Sequence, residues 1–476
     1  MEQDQIPDEE DDNVENREPN APAREDTRSR KLPQYLAALS AAVGGFLLGT
    51  VLGWSAPAVP IIEREFDATS GQIGLIGSLA TLGGAVIMLP MAFMLDKFGR
   101  KLVMLGLILP FIAGWFVLAF IYAIPGYCVG RFVTGLCGAG YCVAVPIYTS
   151  EIAEKDIRGR LGVFFQLMVV LGILFAYVIG YTDDILIMSL VCGLLPIVFG
   201  VIFFFMPESP LFLLMKEYPE QAKLSLQWFR GKQYDISEEM TDMKNFIDES
   251  KKKDSSIKEL WNAKAARKGL LISIGLMFCQ QLSGINVIIF YSVSIFKLAG
   301  SKMSPLLAAI ILALIQVVST VVAAATVDRA GRKILLIVSH AVMGLCLIGL
   351  GVFFTFVGDN KKEEHESKSL GFLALVAVGI YICAFSLGSG PLPWAMLGEL
   401  LAPEVKGIAG SVSACINWVL AFVVSFTFPL MADNLGVHIT FWIYAVLCFL
   451  GTAFIVFFVI ETKGKTLDEI QRELEG

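Results

Sequence analysis

The sequence predicts an all-α integral membrane fold: twelve transmembrane helices in two pseudo-symmetric six-helix bundles, with a cytosolic helical insert between them. Three observations predict it. Of the 476 residues, 55% are hydrophobic and 17% charged, with mean hydropathy +0.68, more apolar than a soluble domain keeps in solution. The apolar residues gather into twelve stretches, each near the roughly 20 residues a helix needs to cross a bilayer core, where no water is present to satisfy backbone groups. Short polar motifs from the first half recur in the second, in register.

The expected spans fall at 33–57, 70–94, 102–122, 126–148, 161–181, 186–206, 270–298, 304–327, 334–357, 370–396, 407–431 and 438–460, numbered 1 to 12 in that order. An even number of spans puts both chain ends on one side. Thirty of the 37 lysines and arginines fall on that side, 6 on the other, and Arg131 lies within span 4. The positive-inside rule therefore places both termini in the cytosol.

Residues 1–31 are acidic and polar, with no apolar core to act as a cleaved signal, and read as a disordered cytosolic tail. Residues 32–206 form the first six-helix bundle and 268–460 the second. Between them, 207–267 mixes charges with apolar residues at helical spacing, as in "AKLSLQWF" and "IKELW", and reads as short amphipathic helices. Its Lys251, Lys252 and Lys253 form either a solvated face or a contact with anionic lipid. Residues 461–476 are a second cytosolic tail. The nine cysteines all lie in predicted spans and read as packing rather than as a disulfide framework or metal site. His340, His365 and His438 are scattered singly, so neither metal nor a histidine relay is expected.

The repeat is carried by three echoes. "DKFGRK" (96–101) returns as "DRAGRK" (328–333), 232 residues on. Glu151, seven residues before Arg158, matches Glu399, seven before Lys406. "PESP" around Glu208 matches "ETKGK" from Glu461. Internal repeats are how many carriers place a site between two halves. In the loop motif glycine permits a tight turn, and Asp96 or Asp328 can accept hydrogen bonds near a helix start. One reading is topology alone, since such cations fix orientation. The other is a charge gate in which Asp96, Arg100, Glu151, Arg158, Glu208, Asp328, Arg332, Glu399, Lys406 and Glu461, all at one membrane face, pair between the halves and close the cytosolic side. Exposed pairs contribute only about 0.2–1 kcal/mol each, so a network would have to bias the two states.

At depth the chain places neutral amides: Gln166 in span 5, Gln280, Gln281 and Asn286 in span 7, Gln316 in span 8 and Asn417 in span 11. An amide donates and accepts without a pKa to manage, which suits sugar hydroxyls. Trp394 adds an indole that can pack on sugar C–H groups and donate through its N–H. Single amides in membranes often serve as glue between helices, but a set drawn from both halves, with glycine and proline breaks nearby, reads as a ligand site. On an unbroken helix Gln281 and Asn286 point about 140° apart. A local unwinding at Ser283 and Gly284 is therefore expected to turn both inward.

These loop motifs, with "GRFVTGLCGAG", "PESPLFLL", "QQLSGIN", "GPLPW" and the tail "ETKGKTLDEI", resemble those of the sugar porters of the major facilitator superfamily, over residues 32 to 471. Within that family the short outer loop between spans 1 and 2 and the "GSGPLPW" form resemble the insect facilitated trehalose transporters. The resemblance implies alternating access in the plasma membrane. It places Gln166, Gln280, Gln281, Asn286, Trp394 and Asn417 at sugar contacts, Gln316 where glucose carriers have asparagine, and Phe290 and Tyr291 at an outer gate. Proton-coupled relatives carry an aspartate in span 1 near an arginine of span 4. Here Val51 stands at that position, leaving Arg131 without it, so facilitated uniport is implied. Ser386 replaces a glutamate of the glucose carriers, and Met277, Phe278 and Cys279 depart from the hexose pattern in span 7. The expected cargo is trehalose. A glucose or hexose facilitator, a proton symporter and a non-transporting sensor are the alternatives, the sensor less favoured because the chain ends 15 residues after Glu461. No cofactor, metal, enzymatic group or nucleic-acid partner is expected; the partners are sugar and membrane lipid, and a monomer suffices for transport.

Overall fold

The computed structural model describes residues 29–252, 264–300, 303–359, 364–401 and 403–475. Among them twelve helices are long and apolar enough to cross a bilayer, and each matches an expected span: Leu32–Phe66, Ser70–Phe98, Arg100–Phe120, Ile124–Ile152, Arg158–Thr182, Ile185–Phe204, Lys264–Leu298, Pro305–Thr326, Arg332–Phe356, Gly371–Leu400, Ala409–Leu435 and Val437–Phe458. Leucine and phenylalanine side chains such as Leu109 and Phe457 point outward, where only lipid could cover them.

Span 1 runs past its expected end to Phe66, with Pro57 and Pro60 inside it, so Glu63 and Glu65 ride on its far turn rather than in a loop. Span 2 starts on a capping box: the Thr69 side chain accepts from Gln72 N–H, and the Gln72 side chain accepts from Thr69 N–H. Spans 1 and 5 meet backbone to backbone, because Gly49 faces Gly172 and a Cβ on either would collide with main-chain atoms of the other helix. The two bundles meet through spans 1, 2 and 5 of the first and 7, 11 and 8 of the second.

Two spans are broken where the site needs it. Span 7 is two helices, Lys264–Leu282 and Ile285–Leu298, joined at Gly284, whose φ of +84° is the left-handed region that favours glycine. Span 10 carries a π turn, Phe385–Ser389, between its helical segments Glu364–Ala384 and Leu392–Leu400.

Spans 1 and 12 respectively begin and end at one face of the bundle, termed proximal below; the other is distal. The insert lies on the proximal face as helices Pro210–Met215, Pro219–Arg230 and Ser237–Lys252. It is fastened to the first bundle by buried Arg230, which reaches Glu239 at 2.5 Å, Glu154 at 3.4 Å and the Ile152 carbonyl at 2.8 Å. Lys31 reaches the same Glu154 at 2.8 Å. The segment "IKELW" and the side chains of Lys251, Lys252 and Lys253 lie outside the described residues, as do residues 1–28. Beyond Glu461 the chain does not simply trail off: helix Leu467–Glu475 buries Ile470 and Leu474 beside Leu336, Leu400 and Val459, and Gln471 donates to the Leu400 carbonyl at 3.0 Å.

Candidate functional site

The break in span 7 brings the expected amides together. Asn286 Nδ2 donates to Gln281 Oε1 at 2.5 Å, and Gln281 Nε2 donates to Asn417 Oδ1 at 2.9 Å. Asn417 Nδ2 donates to Gln280 Oε1 at 2.8 Å, and Gln280 Nε2 donates to the Ser389 and Gly390 carbonyls, both at 2.8 Å. The result is one directional relay across spans 7, 11 and 10, each amide oriented by the next. Neighbouring polar bonds of this kind strengthen one another in a low-dielectric interior.

The relay lines a small central cavity of about 150 Å³ with Gln166, Gln316, Trp394 and Trp418. This cavity shares Gln166, Gln316, Phe385 and Gly390 with a larger one, of about 800 Å³, whose mouth is marked by Lys155, Asp156, Arg160 and Arg332 at the proximal face. Among the described residues, neither Gln166 nor Gln316 spends its side-chain amide on a protein hydrogen bond. All seven expected contact residues thus line the central cavity, which adjoins the larger, proximally opening one through the residues they share.

The distal side is shut. Tyr291 is buried, kinked out of helical geometry, and donates through its hydroxyl to the Ser425 carbonyl at 2.9 Å while packing over Gly77. Phe290 beside it is fully buried. Tyr177 donates to the Ile289 carbonyl at 2.5 Å, and Ser70 reaches Asp433 at 2.5 Å at the rim. These bonds join the first bundle to the second, or lock span 7 against span 11.

In this proximally open conformation, in which pairs between the halves are expected to be broken, the charged set pairs within each half. In the first bundle Arg100 binds Glu151 at 2.7 Å and Asp96 at 3.6 Å; in the second Arg332 binds Glu399 at 3.4 Å. Glu208 accepts the main-chain N–H groups of Arg100 and Lys101, and Glu461 accepts those of Arg332 and Lys333. Each glutamate caps the helix start of its own half, where unpaired donors and the helix dipole favour a carboxylate. Gly99 and Gly331, at φ of +95° and +87°, leave room for it, since a Cβ would press on the Glu208 and Glu461 carboxylates. Every ion pair among these described residues is therefore internal to one half in this proximally open conformation. The Arg158 side chain donates to the Ala153 carbonyl at 3.4 Å, and the side chains of Asp328 and Lys406 lie outside the described residues.

Burial pushes Glu208 above the usual glutamate range against its hydrogen bonds. At Glu461 burial also pushes upward, but the main-chain donors of Lys463, Arg332 and Lys333 outweigh it, and its carboxyl sits below that range.

Arg131 is fully buried without a carboxylate. Its guanidinium donates to the carbonyls of Val51 at 2.5 Å and Ile76 at 3.2 Å and to Ser55 Oγ at 2.7 Å, and stacks over Trp54. Of the three residues that depart from the hexose pattern, Phe278 faces outward, Cys279 packs against Gly451, and Met277 meets Asn417 Nδ2 at 3.3 Å. None lines either cavity: Phe278 and Cys279 turn to other faces of the helix, and Met277, on the face of the glutamine pair, lies one turn before it. Sequence reading missed Thr81, Phe165 and Trp418 in the cavity wall; Trp418 alone had a signal, its place after Asn417.

Two six-helix bundles around a polar cavity open to one membrane face define a multi-pass membrane carrier. The sequence model described as "Sugar (and other) transporter" matches residues 37–474. The facilitated trehalose transporter Tret1 of Bombyx mori is 34% identical over 441 residues, which are 93% of this chain and 86% of that protein. Its namesake from Drosophila pseudoobscura pseudoobscura is 36% identical over 448 residues, and the match spans only 51% of that longer protein. An inward-open structure of the xylose transporter XylE from E. coli shares the fold, with TM-score 0.76 and 24% identity over 92% of this chain and 98% of that one. The chain belongs to the sugar transporter family.

Proposed function

We propose that the protein carries trehalose down its gradient across the plasma membrane by alternating access, with both chain ends in the cytosol. The observation that carries this reading is the amide relay from Asn286 to Gln280, which faces Gln166 and Gln316 with their amides uncommitted. Such a set can exchange its bonds for those of a polyhydroxylated, uncharged ligand without moving a proton. In this reading Gln166, Gln280, Gln281, Asn286, Gln316, Trp394 and Asn417 contact sugar, while Phe290 and Tyr291 close the distal side. The ten charged residues of the repeat motifs steady the proximal face of each half, exchanging partners as the halves rock.

Trehalose is favoured over a hexose by the names of the relatives, which share 34–36% identity. Uniport is favoured by the central cavity, whose lining holds no acid among the described residues, and by Arg131 being satisfied through carbonyls. The excess of Lys and Arg at the proximal face supports its cytosolic placement. The test is uptake of labelled trehalose by cells expressing the chain, challenged with unlabelled trehalose, glucose and xylose. Strong competition by trehalose alone is expected; uptake of labelled glucose that trehalose does not compete with would assign a hexose carrier instead.

A further inference from the structure

His340 is fully buried in span 9, outside both cavities, and sugar recognition as described makes no use of it. Its Nδ1 lies 3.1 Å from the Leu336 carbonyl and 2.8 Å from Ser389 Oγ. A carbonyl can only accept, so the imidazole proton belongs on Nδ1. Ser389 Oγ stands 2.6 Å from Ser339 Oγ, which donates to the Ala384 carbonyl at 2.7 Å and accepts the Ser389 N–H at 3.1 Å. With the one Nδ1 proton shared between the Leu336 carbonyl and Ser389 Oγ as a three-centre bond, the hydroxyl protons run from Ser389 to Ser339 and from Ser339 to Ala384. The chain ties span 9 to both ends of the π turn, since Ala384 precedes it and Ser389 closes it. Gly388 lets the turn seat directly on span 9; a Cβ there would stand 2.5 Å from that of Ser339.

What the turn presents on its other side is the Ser389 carbonyl, which with that of Gly390 takes both Gln280 N–H groups. That fixes Gln280 Oε1 as the acceptor for Asn417 and thereby sets the direction of the whole relay to Asn286. His340 thus stands behind the turn whose carbonyls orient Gln280.

We propose that His340, Ser339 and Ser389 form a latch that holds the span 10 π turn with its carbonyls aimed at Gln280, making His340 a positioning residue for sugar recognition. The proposal rests on the reading that Gln280 belongs to the sugar site. The latch acts on affinity through Gln280 and not on folding as such, so its removal weakens sugar binding only while Gln280 is present.

The experiment measures trehalose affinity of the full-length protein in lipid nanodiscs, by tryptophan fluorescence, alongside its melting temperature. His340→Leu and Ser389→Ala are expected to weaken binding about fivefold, the loss of one buried hydrogen bond. His340→Asn, which can place a donor where Nδ1 stands, restores affinity to within about twofold. The double variant Gln280→Ala with Ser389→Ala binds no more weakly than Gln280→Ala alone. Losses that simply add in the double variant overturn the latch. So does wild-type affinity in Ser389→Ala, and that arm holds even where His340→Leu fails to fold. Wild-type affinity in Gln280→Ala removes the sugar-site reading, and the latch with it; reduced affinity in Gln280→Ala with none in Ser389→Ala overturns the latch alone.

Discussion

Asn286 Nδ2 donates to Gln281 Oε1 at 2.5 Å, although the two residues stand five apart in one membrane span. On a continuous helix they would point about 140° away from each other. The left-handed turn at Gly284 cancels that angle and makes a single site of the two halves of span 7.

Gly284→Leu is expected to impair transport far more than surface expression. A leucine held at φ of +84° costs about 1–3 kcal/mol, and its Cβ would stand 3.2 Å from the Tyr444 ring. Surface biotinylation alongside uptake checks this; normal uptake would remove the turn from the mechanism.

Gln281→Ala breaks the relay at its middle. It strips Asn286 of its acceptor and Asn417 of its donor, a loss of roughly 1–3 kcal/mol in a buried network. Sugar affinity should fall at least fivefold in equilibrium binding, with the melting temperature changing little; wild-type affinity would place the sugar elsewhere.

Arg332→Ala leaves Glu399 without the cation 3.4 Å away and removes a positive charge from the proximal mouth. Because the proposed exchange of partners on closing would use Arg332, slower turnover and a shift toward the proximally open state are expected. A Ser386→Cys reporter inside the larger cavity should then react faster with a water-soluble maleimide. Unchanged turnover and unchanged labelling would leave the charged motifs with a topological role only.

Glu461 and Glu208 cap equivalent helices yet titrate in opposite directions. At Glu461 the folded-state pKa is depressed, so its stabilisation is complete above the ordinary value of 4.5 and is lost as pH falls through the depressed one. At Glu208 the folded pKa is raised, so the fold favours the protonated form and its contribution weakens as pH rises from 4.5 through the raised value. Melting curves of Glu461→Gln and Glu208→Gln across that acidic range should therefore diverge from wild type with opposite slopes; parallel slopes would contradict the assignment.

The twelve spans were legible because a bilayer demands long apolar helices and the sequence supplies twelve, and the repeat was legible because its loops keep the same residues. The amides at Gln166, Gln280, Gln281, Asn286, Gln316 and Asn417 stood out as polar groups where polarity is expensive. The roles of Glu208 and Glu461 did not, because a carboxylate at the same membrane face as arginines reads as an ion pair while its use as a cap depends on main-chain N–H groups. His340, Ser339 and Ser389 were silent for a similar reason: they meet only through packing of span 9 on a π turn, a register that no local pattern announces. Met277, Phe278 and Cys279 depart from the hexose pattern without lining a cavity, because Phe278 and Cys279 occupy other faces of the helix and Met277 lies one turn before the glutamine pair.

Passive carriage of a neutral disaccharide through the amide-lined cavity is the function proposed for this protein. The direct measurement is uptake of labelled trehalose into proteoliposomes holding the purified chain, with and without an imposed proton gradient and a protonophore. The account predicts entry that stops at equal concentrations on both sides, at a rate the proton gradient leaves unchanged, and that Gln280→Ala nearly abolishes. Accumulation above the outside concentration that collapses with protonophore, or no entry of trehalose while glucose enters freely, would contradict it.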